Sequence, residues 1–219
     1  SFGLTLIGRA ADYLPYFIYA FEELGRIGIG KGRGKYELRE VTEEGSEGDV
    51  LQKKRVIYSG DTKLLTQTNS PIRWSDILIN QPSPPPAISI SFITPTRIKY
   101  KNSLTKDLEF HVFFRSLLRR ISLLSYFHCN HRIDDSGFKD LIQRAKDIKT
   151  LKRSLYWHDW ERYSNRQETR MKMGGFMGEI TYEGEFKEFW PYIKLGEYMH
   201  VGKGSGFGLG RYILSGKSE

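Results

Sequence analysis

An unusual run of alternating glycines occurs twice in this chain, close to its opposite ends. Residues 28–38 read GIGKGRGKYEL and residues 204–214 read GSGFGLGRYIL. Each holds four glycines at alternate positions, then a basic residue, Tyr, one free position and Leu. Upstream the copies stay in step at a constant offset of 176 residues, so that Pro15-Tyr16 matches Pro191-Tyr192, Gly8 matches Gly184 and Thr5 matches Thr181. A glycine inside a helix or strand costs about 0.5–1 kcal/mol of backbone entropy. Four in alternation therefore predict a loop whose backbone is approached closely, and the chain reads as a duplicated unit.

The pattern around each loop is the same. Residues 2–8 alternate like a strand, and 12–25 predict a helix capped by Asp12, with Pro15 in its first turn. The loop and a strand over 36–41 follow. The second copy predicts a strand over 177–183, a helix over 185–198, a loop over 202–210 and a strand over 211–215. Ahead of it stand a strand at 88–99, an amphipathic helix at 108–127, a short basic helix at 138–150, and strands at 152–164 and 169–174. Residues 88–215 thus read β-α-(α)-β-β-α-β, the ferredoxin-like order. The first copy corresponds to the second half of another such domain, whose β-α-β half is expected before residue 1; the chain opens on Ser1 and enters a strand-like run at once. A hairpin over 50–66 and a stiff Pro-rich connector, Gln81 to Pro86, lie between. The expected division is residues 1–86, half a domain plus hairpin and linker, and 87–219, a complete domain.

A chain of 219 residues has room for two domains of about 100 residues each. Lys and Arg number 34 against 26 Asp and Glu, a net charge of +8, and residues 40–49 hold much of the acid. The remainder is basic enough to suit a polyanionic partner. A single cysteine, Cys129, excludes an intramolecular disulfide and predicts a reducing, cytoplasmic setting. The apolar N-terminal run is interrupted by Arg9, Asp12 and Pro15, which makes a poor signal peptide, and no apolar run is long enough to span a membrane.

Tandem ferredoxin-like domains with a glycine-rich loop between last helix and last strand resemble the RAMP superfamily of CRISPR-associated proteins. Within it, HVFFRSLLRRISLLSYF (111–127), WHDWERYSNRQETRMKMGGFMGEI (157–180) and HVGKGSGFGLGRY (200–212) resemble the endoribonucleases that process precursor CRISPR RNA, the Cas-six type. The resemblance is strongest over 88–215 and extends to 2–41. It implies an α+β fold, RNA as partner, possible association with other CRISPR-associated proteins, and no metal or other cofactor. It also implies attack of a 2′-hydroxyl on the adjacent phosphate, leaving a 2′,3′-cyclic phosphate. Such a reaction needs a base, an acid, and donors for the phosphorane charge. Many members of the family carry a catalytic histidine in the first half of the first domain, the half without a counterpart here.

The candidate residues each carry two readings. Backbone N–H groups of the loops, with Lys31, Arg33 and Lys35 in the first and Lys203, Gly204, Gly206, Gly208, Gly210 and Arg211 in the second, can hold phosphates; the alternative is close packing of helix on sheet. Gly25 to Gly32 imitates a Walker A motif, but Gly32 stands where a Ser or Thr is needed, and the segment joins helix to strand. On a single strand His158, Trp160, Arg162, Ser164 and Arg166 share a face, extended by Arg170 and Lys172, which suits an RNA stem-loop as well as a solvated hairpin. Arg115 and Arg119, one turn apart, form a phosphate sink or a plain solvent face. His200, just before the second loop, is either an acid–base group or a helix-end cap, and His158 is the other catalytic candidate. His128-Cys129-Asn130-His131 lacks a second ligand pair and is read as closing a helix.

The sequence therefore predicts a protein that binds CRISPR repeat RNA, whose intact form is the processing endoribonuclease. A non-catalytic RAMP subunit of a CRISPR effector complex is the alternative. An unrelated ferredoxin-like RNA-binding module is disfavoured because the aromatic RNP1 pattern is absent from the central strands.

Overall fold

The structure is a computed structural model describing residues 1–30, 32–43, 55–66, 68, 71–79, 83–105, 107–134, 136–164 and 168–215, with Arg162 and Ser164 described by backbone alone. It divides into two compact units, Ser1–Asp76 and Ile77–Glu219.

In the first unit a 3-10 turn, Gly8–Tyr13, leads into helix α1 (Leu14–Ile27). Pro15 lies in the first turn, where its missing N–H costs nothing. Asp12 makes no cap hydrogen bond, and the N-cap is Tyr13. Strands β1 (Glu40–Glu43), β2 (Arg55–Ser59) and β3 (Leu64–Leu65) form an antiparallel sheet in chain order, so the expected hairpin contributes its two arms as β2 and β3. Beneath α1, Glu22 accepts hydrogen bonds of 2.5 Å from both Tyr58 and Lys63.

Two expected strands do not form. Residues 2–7 are irregular, with Phe2 63% exposed, and the segment from Lys35 to Arg39 is irregular until β1 begins. The reason is strand pairing. A strand is stable only in a ladder, and the described residues of this unit contain no strand that pairs with either segment.

The second unit supplies the contrast. Its elements are helix α2 (Trp74–Ile79, begun in the first unit), β4 (Ala87–Thr96), β5 (Ile98–Tyr100), β6 (Ser103–Thr105), α3 (Phe110–His128), α4 (Phe138–Arg144), β7 (Lys149–His158), β8 (Glu161–Ser164), β9 (Thr169–Lys172), β10 (Gly175–Glu183), α5 (Trp190–Met199) and β11 (Tyr212–Ser215). A four-stranded antiparallel sheet has the order β11-β4-β10-β7, while β5-β6 and β8-β9 are separate ribbons. Helix α4 is shorter than the predicted 138–150, and α5 starts later than residue 185 because Pro191 belongs in its first turn. The single strand expected over 152–164 is two strands, broken at Asp159-Trp160.

Alternation explains how the sheet buries one face. Ile88, Ile90 and Phe92 of β4, Ile180 and Tyr182 of β10, and Tyr212 of β11 are buried, while Ser89, Ser91 and Thr181 lie between them on the other side. The buried face meets Phe110, Phe113, Phe114 and Leu117 of α3 and Ile193 of α5. Edge-on ring contacts knit the layer together, with centroids 5.3 Å apart for Phe110–Tyr182 and 5.4 Å for Phe113–Tyr212. Register slips at Gly178, whose φ of +107° and contact with the Ser154 carbonyl leave no room for a Cβ.

Tyr212, the tyrosine of the second glycine motif, is fully buried and donates its hydroxyl to the Ile193 carbonyl at 2.6 Å. Tyr36, its counterpart in the first motif, donates to the Phe21 carbonyl at 2.6 Å. Each copy thus ties its loop back to the preceding helix. Gly196 exists for this contact, because a Cβ there would strike the Tyr212 hydroxyl and the Leu117 side chain. Gly196→Ala is expected to lose about 2 kcal/mol of stability by overpacking. In a Tyr212→Phe background the same change is expected to lose roughly 1 kcal/mol less, because the hydroxyl is gone. Denaturant unfolding of the four proteins in the cycle measures this, and strict additivity would contradict it.

Candidate nucleic-acid interface

The second glycine loop begins at the end of α5. His200 is the C-cap residue, with φ +62° and its N–H on the Gly196 carbonyl at 2.8 Å. Few residues other than glycine occupy this region of φ, so His200 is placed by the loop rather than by helix continuation. Val201 and Gly210 close the loop, Val201 N–H donating to the Gly210 carbonyl at 2.9 Å.

The end of β4 holds the loop from beneath. Gly210 N–H donates to the Pro95 carbonyl at 3.1 Å, Lys203 N–H to the Arg97 carbonyl at 2.9 Å, and Arg211 N–H to Thr94 Oγ1 at 2.8 Å. Two glycines serve this attachment. A Cβ on Gly202 would sit 2.5 Å from the Arg97 carbonyl oxygen, and one on Gly210 would collide with the Val201 carbonyl. Gly206 and Gly208 differ, since a Cβ on either would meet nothing within 4 Å, and Gly206 does not have positive φ. At the crest, a short 3-10 turn over Ser205–Phe207 follows Gly204 in the left-handed conformation. The N–H groups of Gly204, Ser205 and Gly206 have no acceptor among the described residues. Three adjacent donors are thus left unpaired at the crest, flanked by exposed Lys203 and Arg211.

The first loop is built differently. Ile29 and Gly34 bond each other in both directions at 2.9 Å, closing a small hairpin with Arg33 at φ +46°. Arg33 and Lys35 are exposed on it. Lys31 lies outside the described residues.

Of the remaining predicted contacts, Arg166 also lies outside the described residues. The continuous stripe from His158 to Arg166 is not one strand, because the chain breaks between β7 and β8. His158 ends β7 opposite Gly175, exposed. Trp160 is half-buried with its indole N–H enclosed and without an acceptor among the described residues, while its carbonyl accepts the Met173 N–H at 2.9 Å. In the β8–β9 ribbon Tyr163 pairs with Arg170 and Glu161 with Lys172, and directly paired residues share a face. Tyr163 is 57% exposed there. This exposed aromatic, on a face with Arg170, Lys172 and Glu161, whose carboxylate lies 3.8 Å from Arg170, was missed in the sequence because its neighbour Arg162 drew the pattern to the other parity.

Arg115 and Arg119 stand exposed on α3. Their neighbour Arg120 is the one that turns inward, half-buried, and donates Nε to the Met199 carbonyl at 3.3 Å, at the negative end of α5. Arg144 is taken up by Glu188, at 2.7 Å, and Lys146 by Gln143, also at 2.7 Å. The segment after α3 folds back on the helix end, Ser125 Oγ donating to the His131 carbonyl at 2.7 Å. Among the described residues no group of three or more His, Cys, Asp and Glu is placed to hold a metal ion, and no helix is long and apolar enough to cross a membrane.

Burial pushes the His200 imidazole below its ordinary 6.5, with the Arg211 and Arg120 charges adding to the effect and the Leu209 carbonyl opposing it. Burial likewise lowers His111, which faces Tyr100 and Lys146. Both rings are therefore neutral at pH 7. In the unfolded chain each protonates near 6.5, before its folded counterpart, so their stabilisation is present above that pH and lost as pH falls through the lower folded values. The melting temperature should be level above about pH 7 and decline below about 6.5. His200→Asn should shrink the decline; an unaltered curve between those pH values would contradict this account.

The family model for the CRISPR-associated endoribonuclease Cas6 matches residues 90–212, more than half of the chain, and a second model, described as an N-terminal domain, matches residues 1–70. No curated protein matches. Among solved structures, Thermus thermophilus Cas6 is 19% identical with a TM-score of 0.52, the match covering 66% of this chain and 58% of that one. A Cas6 product complex is 17% identical with a TM-score of 0.51, covering 66% of this chain and 56% of that one. The chain thus spans less than two thirds of the length of the structures it matches, and the likeness is one of fold: mixed α and β elements with antiparallel sheets. On the family match over residues 90–212, this chain belongs to the CRISPR-associated endoribonuclease Cas6 family.

Proposed function

We propose that this chain binds CRISPR repeat RNA, and that the protein to which it belongs cuts precursor CRISPR RNA without a metal ion. The observation that carries this reading is the second glycine loop. It is rigidly held from below, open above, and presents three free N–H donors between Lys203 and Arg211. A phosphodiester is the ligand such donors and charges suit. The Tyr163–Arg170–Lys172 face of the ribbon offers a second surface, with an aromatic ring for an unstacked base and cations for the backbone. The first loop, with Arg33 and Lys35, supplies a third. Lys31, Arg162, Arg166, Arg115 and Arg119 complete the proposed contact set.

The fold reading is that residues 87–219 form a ferredoxin-like domain and residues 1–86 the later half of another, with hairpin and linker. The sheet order β11-β4-β10-β7 and the two split β-α-β connections support it for the second. The shared tyrosine-to-helix bond supports it for the first.

In the cleavage reaction a base removes the proton of a 2′-hydroxyl, the 2′-oxygen attacks phosphorus, and the 5′-oxygen leaves with a proton from an acid. The products are a 2′,3′-cyclic phosphate and a 5′-hydroxyl. His200 is the proposed base, since it is neutral at pH 7 and adjoins the anion-binding crest. Lys203, Arg211 and the loop donors would stabilise the phosphorane. His158 is the second proposed proton-transfer group.

The test is 5′-labelled repeat RNA with the full chain in excess EDTA. Binding is expected, weakening at least tenfold between about 50 and 200 mM salt, with any cleaved end scored for cyclic phosphate. Gly206→Ala, whose new methyl meets nothing in the protein, should leave the melting temperature unchanged while weakening binding about fivefold or more, because the methyl stands where the phosphate would. Gly210→Ala should lower the melting temperature. Absence of binding by folded protein defeats the RNA reading; binding without cleavage leaves that reading standing and defeats His200 and His158 as a sufficient catalytic set.

A further inference from the structure

We infer that Arg97 is a positioning residue that fixes the β8–β9 ribbon relative to the second glycine loop, so that both present one continuous surface to RNA. The inference rests on the RNA reading above. Arg97 stands between β4 and β5 and faces both elements with different atoms. Its carbonyl accepts the Lys203 N–H at 2.9 Å, and Gly202 packs against that same carbonyl. Its guanidinium Nη1 donates to the Lys172 carbonyl at 2.7 Å and lies 4.0 Å from the Met173 sulfur. One residue therefore grips the base of the loop through its main chain and the root of the ribbon through its side chain.

The ribbon needs such a tether. Its two strands pair only with each other among the described residues, continuing the β7–β10 hairpin beyond Asp159-Trp160 and Met173-Gly174, and a two-stranded extension beyond a sheet is marginally stable in water. At its root the two arms are linked to each other by the Met173–Trp160 bond at 2.9 Å, and Arg97 holds them to the end of β4. The side chain also bears a penalty that packing alone would not require. Arg97 Nε is enclosed without an acceptor among the described residues, an expense that an apolar side chain of the same length avoids. What the guanidinium supplies in exchange is a charged, directional donor to the Lys172 carbonyl. With Nη1 engaged on the Lys172 carbonyl, the proposed action of Arg97 runs through Lys203 and Lys172, and the salt dependence of binding tells this from direct contact with phosphate.

The test compares the full chain with Arg97→Met, Arg97→Gln and Arg97→Lys. Amide exchange in β8 and β9 should rise at least tenfold in the Met and Gln variants, with β10 amides unchanged as the internal measure of folding. Gln, polar but too short to span to Lys172, carries the test if the Met variant does not fold. Affinity for repeat RNA should fall about tenfold in both. The slope of log Kd against log salt should stay the same, since no phosphate contact is lost, whereas Lys203→Ala should reduce it by about 0.7. Arg97→Lys, which retains a charged donor, should stay within about threefold of the parent affinity. Exchange and affinity both within twofold of the parent in the Met or Gln variants would overturn the tether. A slope reduced by about 0.7 in either would overturn it in favour of direct phosphate contact. If the parent chain binds no RNA, the RNA reading fails while the exchange comparison still decides whether Arg97 holds the ribbon.

Discussion

Strand β4 is the member on which the second unit depends. Along its length it carries two ladders, to β10 and to β11, and its buried side chains floor the aromatic layer under α3. At its far end, Thr94, Pro95 and Arg97 accept the three hydrogen bonds that hold the glycine loop. Fold and site are therefore not separate constructions. The strand that makes the sheet possible ends as the platform for the glycine loop, the proposed phosphate site. A loop with this much glycine would otherwise lose a large conformational freedom on binding; fixed from below, it keeps its donors oriented before any ligand arrives.

The same dependence explains which parts of the fold were legible in the sequence. In the second unit, alternation in 88–99 and 177–183 and the 3.6-residue period in 108–127 each reported a surface that meets a partner; the helix and the strand at 177–183 formed, and 88–99 formed as β4 and β5, broken at Arg97. In the first unit, 2–8 alternates just as well yet is not a strand, and of the predicted strand 36–41 only Glu40 and Val41 are, at the start of β1. Their equivalents by the duplication are β10 and β11, both of which pair with β4. Periodicity encodes the wish of a segment for a ladder, not the presence of the ladder. Local signals also misplaced edges. Proline set the starts of α1 and α5 at equivalent positions, Leu14 and Trp190, overriding Asp12 as a cap.

The site was legible as a motif and not as a geometry. Four alternating glycines in each copy look interchangeable on the page, but the structure uses them differently. Gly28 has φ +91° and abuts the Arg33 carbonyl, so the first loop closes on itself. Its counterpart Gly204, at φ +79°, instead packs against Leu209 and starts the 3-10 turn. Gly34 meets nothing closer than 3.8 Å, while Gly210 is wedged against Val201. Identical patterns gave a self-contained hairpin in one unit and an anchored crest in the other, because only the second has TPTR at a strand end beneath it. Thr94, Pro95 and Arg97 could have been suspected only as the turn that ends β4, and Arg120 only as the odd member of an arginine cluster.

The crest's electrostatics follow from the same anchoring. His200 is drawn into partial burial at the end of α5, where Arg120 already caps the Met199 carbonyl and Arg211 leaves the loop on the other side. Two fixed positive charges and lost hydration both disfavour the imidazolium, so the ring stays neutral among cations. A phosphate at the proposed site would reverse that balance. It offsets the arginine charges and favours protonation of His200, so ligand binding should draw the imidazole value back upward. A neutral ring made a better proton acceptor by a neighbouring anion fits the role proposed for His200. The coupling requires no motion of the loop, only its held position between β4 and α5, which is why the anchoring at Thr94, Pro95 and Arg97 bears on the chemistry as well as on the fold.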